Sequence, residues 1–247
     1  MPAIDSDGVR IAYELHGPDD GPPTVLLHGF ASDFNLNWSG TRWIEALTRA
    51  GRLVIGPDLR GHGRSDKPHD PAAYREDELA ADVLRLLEHL AIERADLVGY
   101  SMGARVTLRL AVSCPDRVRR AVLGGIGRSG GGDQAGAIAA RLRGESGPGD
   151  AVADTFYQFS AARPVNDLRA LAACMEGLGA SPPVDVAQVR VPVLLVNADR
   201  DELAPGGRDL AGRIPGARYV ELSGRDHLSA VTDHRFKEAA LVFLDES

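Results

Sequence analysis

"DLVGYSMGARV", residues 96–106, places Ser101 between Gly99 and Gly103, where a strand-like apolar run gives way to a helix-like one. A turn that sharp strains its central residue and draws the strand and helix backbones together. Side chains at 99 and 103 would collide across that approach, so glycine is expected at both. In a parallel sheet, ligands bind outside the carboxyl ends of the strands, and this joint lies at such an end. Reading outward from Ser101 therefore tests whether the rest of the chain builds that sheet.

It does so in alternation. "AIDSDGVRIAYELHG" reads as two short strands turning at Asp7-Gly8. "PTVLLHGF" and "RLVIGPDL" are continuous apolar runs, the mark of strands buried on both faces. "WIEALTRAG" lies between them as a helix closed by Gly51. In "EDELAADVLRLLEHLAIE", Leu79, Val83, Leu86, Leu87 and Leu90 fall on one helical face. "ADLVGY" is strand, "GARVTLRLAVSC" helix, "VRRAVLGGIG" strand. After an irregular stretch, "VPVLLVNADRDELAPG" and "ARYVELSGRDH" resume the strand-then-loop pattern, and "HRFKEAALVFLDE" closes as a helix. Alternation of this kind means an α/β fold, a mostly parallel eight-stranded sheet flanked by helices. The irregular stretch is too short for a core of its own. The expected organisation is a core domain of residues 1–127 and 186–247. Residues 128–185 form a small helical cap after the sixth strand, entered through the flexible "RSGGGDQAG".

A serine hydroxyl is a poor nucleophile until a base takes its proton. In an elbow of the G-x-S-x-G type, the acid and then the histidine follow the serine along the chain. Of seven histidines, that order leaves His227 and His234. His227 ends the loop after the last strand, whereas His234 stands beside the final helix and reads as a surface residue. His28, in "HGF", is expected to be structural. The acid belongs just beyond "VPVLLVN", where Asp199 and Asp201 both stand. The chain must leave the strand and turn back toward His227, which favours Asp201. Asp226 adjoins the base in sequence and is poorly placed to bond its inner ring nitrogen. Two backbone N–H groups are expected to receive a developing oxyanion: Met102, where the helix begins and its field is favourable, and Phe30, in a loop that Gly29 lets approach closely.

Composition limits the partners. The formal charge of −7 argues against nucleic acid or an anionic membrane. Lys67 and Lys237 are the only lysines, so the positive charge is nearly all arginine. Cys114 and Cys174 have no metal or disulfide spacing and read as reduced thiols. The N-terminus has no secretory pattern and no run reaches the ~20 apolar residues of a membrane span, so a cytoplasmic protein is expected. "RGHGRSDKP" lacks the G-K-[ST] of a phosphate loop.

Together, "HGF", "GPDLRGHGRSDKP", "GYSMGA", "NADRDELAP" and "GRDH" resemble the α/β-hydrolase superfamily in order and spacing. With "NLNWSGTRW", they look like a bacterial subgroup of small-cap carboxylesterase-like hydrolases. The resemblance supports Asp201, since the family acid commonly follows a small residue, here Ala198, by three positions. It implies "RGHGRSDKP" as a connector crossing near the site. The expected function is hydrolysis of a carboxylic ester of a small molecule by Ser101, His227 and Asp201 through an acyl-enzyme, with no metal or cofactor. Trp38, Phe156, Tyr157 and Phe159, with Phe34 and Met175, are candidates for an apolar pocket wall. Thioester or lactone cleavage needs the same groups. Arg105, four residues past the serine, would suit a substrate carboxylate in a carbon–carbon lyase resembling the menaquinone-pathway enzyme. A non-catalytic hydrolase-fold binder is the alternative from another class.

Overall fold

A computed structural model describes residues 2–127 and 132–246. Its strands are β1 (Ala3–Ser6), β2 (Val9–His16), β3 (Pro23–Leu27), β4 (Leu53–Pro57), β5 (Ala95–Tyr100), β6 (Val118–Gly124), β7 (Val193–Ala198) and β8 (Arg218–Leu222). They form one sheet in the order β1-β2-β4-β3-β5-β6-β7-β8. β1 and β2 pair antiparallel, as do β2 and β4, and every other pairing is parallel. Asp7 and Gly8 both take positive φ, 56° and 79°, which matches the turn between β1 and β2 to the twist of the strands.

The described helices are α1 (Trp43–Arg49), α2 (Glu76–His89), α3 (Met102–Ser113), α4 (Gly132–Arg143), α5 (Ala151–Ala161), α6 (Leu168–Gly179), α7 (Gly207–Arg213), α8 (His227–Ala230) and α9 (His234–Leu244). Successive strand residues point to opposite faces, and the core divides accordingly. Val25, Leu27, Ile55, Leu97 and Leu123 join the cluster holding Leu79, Val83 and Leu86 of α2 and Val106 and Leu110 of α3. Leu26, Val54, Val98, Val122 and Val196 join Trp43 and Leu47 of α1 and Phe236 and Phe243 of α9. α7 and α8 lie where the sequence pattern gave only loop. Their four to seven residues are too few for an apolar periodicity to stand out.

Between β6 and β7, α4 packs on both α5 and α6, and α6 also packs on the turn at Pro71–Tyr74. The glycine-rich entry expected at 128–136 begins on residues outside those described. Strand order sets the position of the site. From β3 the chain steps to β4 on one side and then to β5 on the other. The carboxyl ends of β3 and β5 therefore flank the point where the winding reverses, the usual crevice of such sheets.

Candidate active site

Ser101 stands between β5 and α3 with φ 52° and ψ −112°, a conformation a residue with a Cβ adopts only under constraint. The constraint is steric. A Cβ at Gly99 would lie 2.3 Å from the Gly103 carbonyl oxygen, and one at Gly103 would lie 2.0 Å from that of Leu27. β3, β5 and α3 meet backbone to backbone there. Ser101 N–H donates to the Gly124 carbonyl at 2.8 Å, tying the turn to β6.

The structure brings Ser101, His227 and Asp201 together. Ser101 Oγ is 3.0 Å from His227 Nε2, and His227 Nδ1 is 2.9 and 2.8 Å from the two Asp201 oxygens. The carboxylate only accepts, so Nδ1 carries the proton and Nε2 is open to take one from the hydroxyl. Asp201 Oδ1 also accepts from the N–H groups of Leu203 and Ala204 at 3.1 and 2.9 Å, which fixes the carboxylate in its loop. Asp199 faces away: its Oδ1 receives Gly224 and Arg225 N–H in the turn after β8. Asp226 caps α8 through Leu228 and Ser229 N–H, and the His234 side chain is exposed.

On the opposite side of Ser101, the loop after β3 is organised by residues with little polar freedom left. Gly29 N–H is taken by Asn37 Oδ1 at 3.0 Å. The Gly29 carbonyl accepts from His28 Nδ1 at 2.8 Å and Ser32 N–H at 3.3 Å. That carbonyl shares a peptide plane with the Phe30 N–H, so both bonds orient it. Leu59 N–H donates to His28 Nε2 at 2.9 Å, so the proton sits on Nδ1. Burial lowers the His28 pKa and keeps the ring neutral. The Phe30 N–H bonds to no other group among the described residues. The Met102 N–H opens α3, beyond reach of its own helix's carbonyls.

Sterics do not require glycine at position 29. A Cβ there would sit 3.5 Å from Ser101 Cβ, an ordinary contact, and φ is not positive.

Two cavities meet at Ser101, divided by Phe30, Phe156 and Leu203. One, of about 220 Å³, is lined by Met102, Ile138, Val152, Met175 and Leu178. The other, of about 380 Å³, runs past His227 to Leu36, Phe159, Leu228 and Val231. Phe156, Phe159 and Met175 thus face the cavities. Trp38 and Phe34 do not: both are fully buried, Trp38 edge-on to Trp43 at 5.4 Å and Phe34 stacked on His16 at 5.7 Å. Tyr157 lines neither cavity and lies under the Arg141 guanidinium, 3.9 Å from its ring centre. Arg105 does line the smaller cavity, but its Nε donates to Glu76 Oε1 at 2.6 Å and its Nη2 to the Leu178 carbonyl at 3.2 Å. Glu76 pairs with Arg109 as well, at 2.9 Å, so the two guanidiniums share one carboxylate.

"RGHGRSDKP" crosses beside this loop. Arg60 pairs with Asp82 at 2.6 Å, Arg64 with Asp58 at 2.7 Å, and the His62 ring stands edge-on to Phe30 at 5.7 Å. Among the described residues no cluster of His, Cys, Asp or Glu could hold a metal ion, and no helix is long and apolar enough to cross a membrane.

A family model described as alpha/beta hydrolase fold matches residues 22–129. An AB hydrolase superfamily protein of Bacillus subtilis, YfhM, is 34% identical over 119 residues, 48% of this chain and 41% of that protein. A haloalkane dehalogenase of Mycolicibacterium paratuberculosis is 40% identical over 123 residues, 49% of this chain and 39% of that protein. The matches thus span about two fifths of the length of these curated relatives. An enol-lactonase structure from Burkholderia xenovorans LB400 superposes with a TM-score of 0.85 at 28% identity, covering 99% of this chain and 100% of that one.

Proposed function

Since the chain carries the α/β-hydrolase fold, we propose that it is a serine hydrolase cleaving carboxylic esters of small molecules. The observation that supports this is the unbroken hydrogen-bond chain from Asp201 through His227 to Ser101. Ser101 Oγ attacks the ester carbonyl while His227 Nε2 takes its proton. Asp201 holds the ring and balances the imidazolium. The Phe30 and Met102 N–H groups receive the oxyanion. His227 returns the proton to the leaving alcohol, and a water then releases the acid by the same steps in reverse roles. Residues 128–185 act as a cap over the core of 1–127 and 186–247, lending Phe156, Phe159 and Met175 to the pocket.

A lactone is an ester whose leaving alcohol stays attached, so the likeness to an enol-lactonase falls within this chemistry. The lyase reading would need Arg105 for a substrate carboxylate, and Arg105 is already paired with Glu76, a carboxylate it shares with Arg109. The similarity to a haloalkane dehalogenase covers 39% of that protein and does not bear on the ester reading.

A fluorophosphonate probe tests the proposal. Label on the wild type that disappears in Ser101→Ala supports it; a folded wild type that takes no label overturns it in favour of a binder. On an aryl acetate, Asp201→Asn should lower kcat by on the order of 10⁴. Asp199→Asn keeps the acceptor of its turn and should stay within about twofold of wild type. The reverse outcome would reassign the acid.

A further inference from the structure

Ala31 follows Phe30 in the turn closed by Ser32 N–H on the Gly29 carbonyl, and its φ is +56°. Residues with a Cβ avoid that region, and alanine has no side-chain polar atom to ease it as asparagine would. Such a backbone persists only where its surroundings over-determine it. The Ser32 bond, at 3.3 Å, is among the longer ones of the loop.

The support comes from a distant part of the chain. The Ala31 carbonyl accepts from Arg163 Nη1 at 3.0 Å and from Asn166 Nδ2 at 3.1 Å. Arg163 Nη2 also pairs with Asp33, whose other oxygen takes Leu36 N–H at 2.8 Å. Asn166 Nδ2 is shared with the Ser160 carbonyl at 3.1 Å, fixing its amide. Both donors lie between α5 and α6, in the segment inserted after β6.

We propose that Arg163 and Asn166 are positioning residues for the oxyanion site, acting through the Ala31 carbonyl. This inference rests on the reading of Phe30 N–H as an oxyanion donor. Holding that carbonyl keeps Ala31 left-handed and the turn closed. The closed turn keeps the Gly29–Phe30 peptide plane turned so that its N–H faces the site. Without the two donors Ala31 relaxes to negative φ, the Ser32 bond opens, and the Phe30 N–H loses its aim. The inserted segment therefore sets the reactivity of a loop it only touches.

The test is steady-state hydrolysis of 4-nitrophenyl acetate by the full chain. Arg163→Ala should lower kcat by about ten- to a hundredfold, below the ~10²–10³ of losing a donor outright, with KM nearly unchanged. Arg163→Lys should fall between the two. Free guanidinium at a non-denaturing concentration should restore part of the kcat of Arg163→Ala and none of that of Ser101→Ala. Should Arg163→Ala not fold, Asn166→Ala removes one donor and should show the same kcat-selective loss on a smaller scale.

A folded Arg163→Ala with wild-type kcat overturns the positioning role. A loss confined to KM, or one that guanidinium does not relieve, does the same. A wild type that takes no fluorophosphonate label sinks the hydrolase reading first, and this one with it. Label on the wild type with unaltered kcat in the variant sinks this one alone.

Discussion

Tyr100 donates its phenol hydrogen to the backbone carbonyl of His227, so the residue beside the proposed nucleophile holds the residue that carries the proposed base. Burial, with the nearby Asp201 charge adding to it, raises the Tyr100 pKa well above the ordinary phenol value. The hydroxyl therefore stays a neutral donor throughout the working pH range. Its ring packs on His227 at 5.4 Å and on Phe236 at 6.2 Å.

Tyr100→Phe keeps those ring contacts and removes only the donor. The His227 carbonyl then lacks its partner, at a stability cost of about 1–3 kcal/mol, and the imidazole has more freedom over Ser101. Expected is a drop in kcat of about tenfold, read by steady-state kinetics alongside urea denaturation. Unchanged kcat with the expected loss of stability would show that the bond serves folding alone.

For the proposed ester substrate the two cavities suggest which side each portion takes. In the proposed mechanism His227 hands its proton to the leaving oxygen, and of the two cavities only the larger includes His227. The alcohol portion is thus placed toward Leu228 and Val231, and the acyl portion toward Met175 and Ile138. Met175→Trp should lower kcat/KM by about tenfold or more for hexanoate esters relative to acetates of the same alcohol. Leu228→Trp should discriminate instead among alcohols of different bulk. Exchange of these two patterns would reverse the assignment.

His62 makes stability depend on pH. Burial, reinforced by the neighbouring His28, pushes its pKa down to about 3. The unfolded chain takes up a proton at this residue as pH falls below 6.5, while the folded one does not until about 3. The contribution is complete above pH 6.5 and erodes toward pH 3, at up to about 1.4 kcal/mol per pH unit. His62→Asn should therefore show a shallower fall of Tm between pH 7 and pH 5 than wild type. Parallel Tm curves for the two proteins would contradict this.

What could be read from the chain alone was local. The glycines around Ser101 are demanded by backbone contacts among β3, β5 and α3, and the five-residue pattern announces them because a strand-like run precedes it and a helix-like run follows. Parallel strands deliver their loops to one edge, and the order of serine, acid and histidine is the one that accompanies a G-x-S-x-G elbow. The direction in which an aromatic side chain points carries no such signal. Trp38 and Phe34 look like pocket walls because they follow the loop after β3, yet both turn inward to the core below α1. Arg105 looks free until Glu76, 29 positions away in sequence, reaches it. Tyr100 sat unnoticed in an apolar run, and only the path of the loop after β8 shows what its hydroxyl meets. Asn37 and Arg163 act on backbone atoms, and side-chain chemistry in the sequence does not mark such targets.

The segment bearing α4, α5 and α6 leaves the sheet after one strand and re-enters at its immediate neighbour. Exchanging it for a foreign one would disturb no strand register, and a library of such chimaeras is a natural route to new substrate preferences. The carbonyl of Ala31 makes that modularity conditional. A graft offering new walls but no cation or amide at that oxygen would bind its ligand and turn it over slowly, so screens of such grafts should score binding and turnover separately.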